Sequence, residues 1–181
     1  TEAPEAIQWL SNLGVEFDKA PDGTLITTHG GGTSRKRMHA AKDYSGAEIM
    51  RTLRDEVLNR GIPVVDFTSA IELIKDENGH CAGAILMNME TKELLVAKAK
   101  TVILATGGFG ANEEMYCSYR PDLKGTVTTN APGATGDGIV MAQALGADLV
   151  DIEQIQLHPT VFQENGFLVS ERLRSNGAVL I

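Results

Sequence analysis

The run Val102-Ile103-Leu104-Ala105-Thr106-Gly107-Gly108 constrains this chain more than any other segment. Thr101 to Ala105 has strand length and shows no alternation of polar and apolar residues. Such a strand is expected to be buried on both faces, as in a parallel sheet covered by helices. Its exit into paired glycines lets backbone approach a flat cofactor with no Cβ in the way. The same glycines equally suit a tight strand-exit turn, so the motif alone leaves both readings open.

The surrounding pattern predicts an α/β (α+β) chain. Ile7, Leu10 and Leu13 recur at helical spacing over Pro4 to Leu13, with Gly14 as the stop. A Pro21-Asp22-Gly23 turn leads to a short strand through Leu25 and Ile26, and Gly30-Gly31-Gly32-Thr33-Ser34 with Arg35-Lys36-Arg37 forms a basic loop. A helix is expected over Gly46 to Arg60, capped by Asp43 or Ser45 and ended by Gly61. Ile62 to Phe67 reads as a strand. Ala70 to Lys75, Cys81 to Met89 and Leu94 to Ala97 read as a β-meander, with turns at Asp76-Glu77-Asn78-Gly79 and Glu90-Thr91-Lys92. Leu149 to Leu157 looks extended, a strand-like stretch begins at Phe167, and Ala178 to Ile181 reads as the start of an apolar strand.

Composition narrows function. The 181 residues carry 16 basic and 24 acidic side chains, a net charge of -8. A nucleic-acid binder would normally present a basic face, so none is expected. An anionic ligand must be held by local positive charge. No apolar run approaches the roughly 18 residues of a membrane span. No signal peptide is visible, and the compartment stays open between cytoplasm and periplasm. Cys81 and Cys117 suggest neither a metal site nor a disulfide framework.

Two further motifs carry chemistry. Gly133-Ala134-Thr135-Gly136-Asp137-Gly138 precedes a helix through Ile139, Met141, Ala142 and Leu145 that stops at Gly146. Backbone N–H groups at such a start attract anions or a polar ring edge, and Asp137 could cap the helix or bind a ligand hydroxyl. His158-Pro159-Thr160 with Ser170, Glu171 and Arg174 gathers carboxylate-binding groups within 17 residues. Glu171 cannot attract an anion, so it would orient Arg174 or relay protons. A capped loop and a solvated surface segment remain the plainer readings of these two motifs.

Taken in order, the motifs resemble the flavoprotein family of fumarate reductases, succinate dehydrogenase flavoprotein subunits and L-aspartate oxidases. The similarity rests on Lys124 to Gly138, Ala105-Thr106-Gly107-Gly108, His158-Pro159-Thr160, Ser170-Glu171 through Arg174 to Asn176-Gly177-Ala178, and Ser34-Arg35 to His39-Ala40. It implies a partial Rossmann-like FAD-binding domain with an inserted β-meander over residues 1–152, and the start of a capping domain over 153–181. By resemblance, Ala70 and Ile71 meet the adenine end of FAD; Ala105, Thr106, Gly107 and Gly108 line the cofactor, and Asp137 contacts it. His158, Ser170 and Glu171 match substrate-carboxylate ligands, and Arg174 a proton-path arginine beside Glu171.

The implied reaction is hydride transfer between flavin N5 and one alkene carbon of a small dicarboxylate, with a proton delivered to the other carbon. The expected partners are the rest of a parent flavoprotein and an electron-transfer protein. L-aspartate oxidase, another enoate reductase, or a non-catalytic truncated fragment are the alternatives. The pyrophosphate fingerprint, the proton-donating arginine and the second carboxylate clamp of the family are expected outside these residues, so the isolated chain is expected to be inactive. Where the family shows Thr-Glu-Ala, this chain has Ser170-Glu171-Arg172. Arg172 adds bulk and charge beside the expected substrate.

Overall fold

The computed structural model describes residues 2–30 and 33–179. They form two compact units, one of Thr1–Val64 with Val169–Ile181 and one of Val65–Leu168. Gly31 and Gly32 of the basic loop, and Leu180 and Ile181 of the expected last strand, lie outside the described residues.

In the first unit, helix α1 spans Ala3–Asn12, with Pro4 in its first turn and Glu5 beside the positive helix end. Gly14 (φ 104°) takes the left-handed conformation that stops it. The following Val15 and Phe17 are the buried anchors, at 3% and 4% exposure. Helix α2 spans Ser45–Asn59 and buries Thr52. Glu48 ties it to the anchors by accepting the Glu16 N–H at 3.1 Å. Its carboxyl is held below the ordinary range mainly by Arg51, and next by that N–H. Neither Asp43 nor Ser45 caps α2. Tyr44 occupies the N-cap without a side-chain bond, and the Ser45 hydroxyl instead accepts the Ala41 N–H at 3.0 Å. The expected strand through Leu25 and Ile26 reduces to one bridge, Lys19 to Leu25.

The second unit holds the meander as expected. Strands β1 (Thr68–Lys75), β2 (Cys81–Asn88) and β3 (Leu94–Lys98) pair antiparallel in that order. The Asp76 carboxylate accepts the N–H groups of Asn78 (2.9 Å) and His80 (2.8 Å) and fixes the first turn. Gly83 sits so close to β3 that a Cβ there would lie 2.0 Å from the Ala97 carbonyl oxygen. Register slips between Ala70 and Glu72, which leaves Ile71 as an unpaired bulge. Helix α3 (Glu113–Tyr119) is capped by the Asn112 side chain, and buried Tyr116 and Leu123 form the local core. Helix α4 spans Asp137–Ala144. Short strands β4 (Val161–Phe162) and β5 (Phe167–Leu168) make a hairpin, and helix α5 (Glu171–Ser175) belongs to the first unit.

Several expected strands do not form. Thr101 to Ala105 has no strand beside it among the described residues, and Ile103 is 86% exposed. An apolar run becomes a strand only where another edge accepts its hydrogen bonds. Ile62 to Phe67 likewise stays irregular, and Phe67 turns left-handed (φ 52°) before β1 begins. Leu149 to Leu157 is interrupted by a turn at Asp151 (φ 53°), closed by the Gln154 N–H on the Asp151 carbonyl. Ala178 and Val179 are not in a strand.

Ile62, Val64, Val65, Phe67 and Ile103 are exposed apolar side chains, Ile103 at 86%. The isolated 181-residue polypeptide is therefore predicted to bind a hydrophobic dye strongly and to melt broadly; a sharp calorimetric transition without dye binding would contradict this. Gly83→Ala is predicted to cost about 1–3 kcal/mol in urea denaturation by forcing β2 from β3.

Candidate functional site

The second unit contains a cavity of about 510 Å³ whose wall includes Gly108, Tyr116, Leu123, Thr129, Asn130 and His158. That size falls in the range of roughly 300–1,000 Å³ common for small-molecule sites. Beside it, the 105–110 segment is pressed against the glycine-rich loop. A Cβ on Gly138 would lie 2.1 Å from Thr106 Oγ1, one on Gly136 2.4 Å from Met115 Sδ, and one on Gly110 2.3 Å from the Asn130 side chain. Gly136 is left-handed (φ 85°) and takes the N-cap position of α4, so Asp137 begins the helix rather than capping it. Asn112 reinforces the contact, donating from Nδ2 to the Thr135 carbonyl at 2.9 Å while its Oδ1 caps α3.

The glycines thus divide by task. Gly136 and Gly138 are buried packing residues. Gly107, which is left-handed (φ 77°), and Gly108 face open space, with no atom within 4 Å of a Cβ built on either. Ala105 and Thr106 continue this exposed edge. Backbone bare of side chains beside a cavity suits the approach of a flat ring such as a flavin. Asp137 is exposed at the start of α4.

His158 is half-buried. The Thr160 N–H donates to its Nδ1 at 3.2 Å, and the Thr160 hydroxyl lies 3.3 Å from the same nitrogen. A neutral imidazole with an occupied Nδ1 carries its proton on Nε2, so it can donate without being charged. Ala70 and Ile71 lie elsewhere in the unit, at the β1 bulge. Ile71 lines a separate groove of about 570 Å³ with Val140, Met141 and Leu145 of α4.

Ser170, Glu171 and Arg174 lie in the first unit, on α5 and its cap. The Ser170 hydroxyl accepts the Arg172 N–H at 3.2 Å and donates to Asp43 at 2.7 Å. Glu171 opens the helix, where its charge complements the N-terminal dipole. Arg174 Nε is buried with no hydrogen-bond partner among the described residues. Arg172 turns its guanidinium to the Lys42 carbonyl and to Asp18, 3.9 Å away. Sequence reasoning did not single out Asp43 as an acceptor for Ser170, since 127 residues separate them. Thr129 and Asn130 were also missed as cavity residues; their polar side chains just before the glycine loop were the available signal. No group of His, Cys, Asp and Glu able to hold a metal occurs among the described residues, and no described helix is long and apolar enough to cross a membrane.

The sequence profile of the FAD binding domain family matches residues 1–181. The chain belongs to that family. FAD is the cofactor its fold serves. The chain is 41% identical to an NADH:fumarate oxidoreductase of Klebsiella pneumoniae, over 99% of this chain and 19% of that protein. It is 36% identical to an L-aspartate oxidase of Streptomyces coelicolor, over 100% of this chain and 31% of that one. Among solved structures it superposes on the open conformation of a flavocytochrome c3 fumarate reductase with a TM-score of 0.83 at 35% identity, covering 98% of this chain and 30% of the other. For an E. coli quinol fumarate reductase the TM-score is 0.87 at 29% identity, covering 99% of this chain and 29% of the other. The chain therefore spans about a fifth to a third of the length of these relatives.

Gly138→Ala is predicted to destabilise the protein by about 1–3 kcal/mol through overpacking on Thr106. Thr106→Ala, which removes the clashing oxygen, should recover most of that loss in the double variant. Strictly additive losses in thermal melts would show that the two residues do not press on each other.

Proposed function

We propose that this chain forms part of an FAD-dependent oxidoreductase that interconverts fumarate and succinate. The observation that carries the reading is the single cavity lined by both Gly108 and His158, with the His158 Nδ1 already occupied by the Thr160 N–H. FAD, when bound, would exchange a hydride at N5 with one alkene carbon of the substrate. The Gly107–Gly108 edge would let the ring approach the backbone, with Ala105, Thr106 and Asp137 contributing further contacts and Ala70 and Ile71 meeting the adenine end. His158 would donate a hydrogen bond to a substrate carboxylate, and Ser170 would do the same from α5.

Glu171 and Arg174 would pass the proton that the second alkene carbon requires. The unpartnered Arg174 Nε is consistent with a group that awaits an acceptor. Fixed donors around a carboxylate stabilise charge that builds up as hydride adds to the alkene. Residues 1–152 would belong to the flavin domain, and 153–181 would begin a domain that caps the substrate. An electron donor or acceptor, protein or nicotinamide, completes the cycle.

The test is fumarate-dependent oxidation of a reduced viologen dye by the full-length, FAD-loaded protein. His158→Ala should raise the KM for fumarate by roughly tenfold, the scale of one hydrogen bond to a charged group. Gly108→Ala should leave the melting temperature of the flavin-free protein unchanged, because its Cβ meets nothing, yet lower the bound flavin content. No dye oxidation with FAD bound would defeat the fumarate assignment. A second reading, oxidation of L-aspartate, draws on the 36% identity to the Streptomyces coelicolor enzyme and predicts hydrogen peroxide release on adding L-aspartate.

A further inference from the structure

We propose that Asp43 competes with the substrate carboxylate for the Ser170 hydroxyl, and that Arg172 holds helix α5 in the position where Asp43 wins. The inference rests on the reading of Ser170 as a carboxylate ligand. A serine hydroxyl has one proton. Here that proton goes to Asp43 at 2.7 Å, a charge-assisted bond, while the oxygen accepts the Arg172 N–H at 3.2 Å. Ser170 therefore has no donor left for a ligand in this conformation. A carboxylate arriving at Ser170 must displace a carboxylate already there.

The contact is held from two sides. On one, Lys42 N–H donates to both Asp18 carboxylate oxygens at 3.2 Å, which fixes the segment that carries Asp43. On the other, the Arg172 guanidinium reaches across to the Lys42 carbonyl and lies 3.9 Å from Asp18. A small residue at position 172 could make neither contact. Asp43 also borders a cavity of about 770 Å³, with Lys42, His39 and Arg172 on its wall, so its side chain has room to swing aside when Ser170 is released. Ligand binding is then coupled to release of Ser170 from Asp43, and the affinity for the anion is set by the difference between two acceptors.

The experiment measures the Kd of a non-reacting dicarboxylate, malonate, by flavin difference spectra in the full-length FAD-loaded protein. The variants are Asp43→Ala, Asp43→Asn, Ser170→Ala and the double variant Asp43→Ala/Ser170→Ala, each checked for flavin content and melting temperature. Asp43→Ala is expected to lower Kd by roughly three- to tenfold, the scale of one net hydrogen bond. Asp43→Asn, which keeps an acceptor without the charge, should fall between it and the wild type. In the Ser170→Ala background, Asp43→Ala should change nothing, because the contested hydroxyl is gone. If Asp43→Ala tightens binding equally in both backgrounds, the effect is general charge repulsion and the competition is overturned. If Ser170→Ala weakens binding but Asp43→Ala leaves Kd unchanged, the ligand reading of Ser170 survives and the competition alone fails. If Ser170→Ala leaves Kd unchanged, both fail together.

Discussion

The press of the 105–110 segment against the glycine-rich loop at 130–138 organises the second unit. Three glycines make it possible, each where a Cβ would strike a neighbour: Gly110 on Asn130, Gly136 on Met115 and Gly138 on Thr106. Backbone and side chain meet there at distances only glycine allows. From this seam the rest follows. Asn112 can span both segments, α4 starts where the loop ends, and Gly108 at the end of the free edge is left lining the cavity that His158 also lines.

The two glycine motifs invite one functional reading, yet they do different physical work. In the run from Gly133 to Gly138, Gly136 and Gly138 mainly serve packing, and the cap expected of Asp137 does not form because Gly136 takes the N-cap position. In the 105–110 segment, Gly107 and Gly108 pack against nothing, and there the ligand-approach reading has the physical support. A glycine that meets atoms when given a Cβ is explained by those atoms. A glycine that meets none, beside a cavity, needs either its φ or a ligand to account for it; Gly107 has the φ, and Gly108 does not.

Elements whose determinants are local were legible in the sequence. The meander could be read because Asp76-Glu77-Asn78-Gly79 and the Asn88 to Lys92 turn carry their own hydrogen-bonding logic, and α2 because its apolar spacing is helical. Ile62 to Phe67 and Thr101 to Ala105 were misread because a strand is a property of two edges, and the partner edge is not in the segment itself. The α2 cap failed for a subtler reason: Ser45 had the right chemistry but spent its hydroxyl on Ala41. The gathering of Gly108 with His158 was suggested by motif order alone, whereas the Ser170 to Asp43 bond left no trace in the sequence, being a contact between loops more than a hundred residues apart.

The position of the flavin ring decides what the cavity of the second unit does. Reconstituting the full-length protein with FAD carrying an azide on its isoalloxazine ring, irradiating it and mapping the labelled peptides would locate the ring directly. Label on residues 108–110, 128–130 or 154–158, around the cavity wall, is the predicted result. Label confined to the groove between the meander and α4, or absent from the whole of Val65–Leu168, would contradict it.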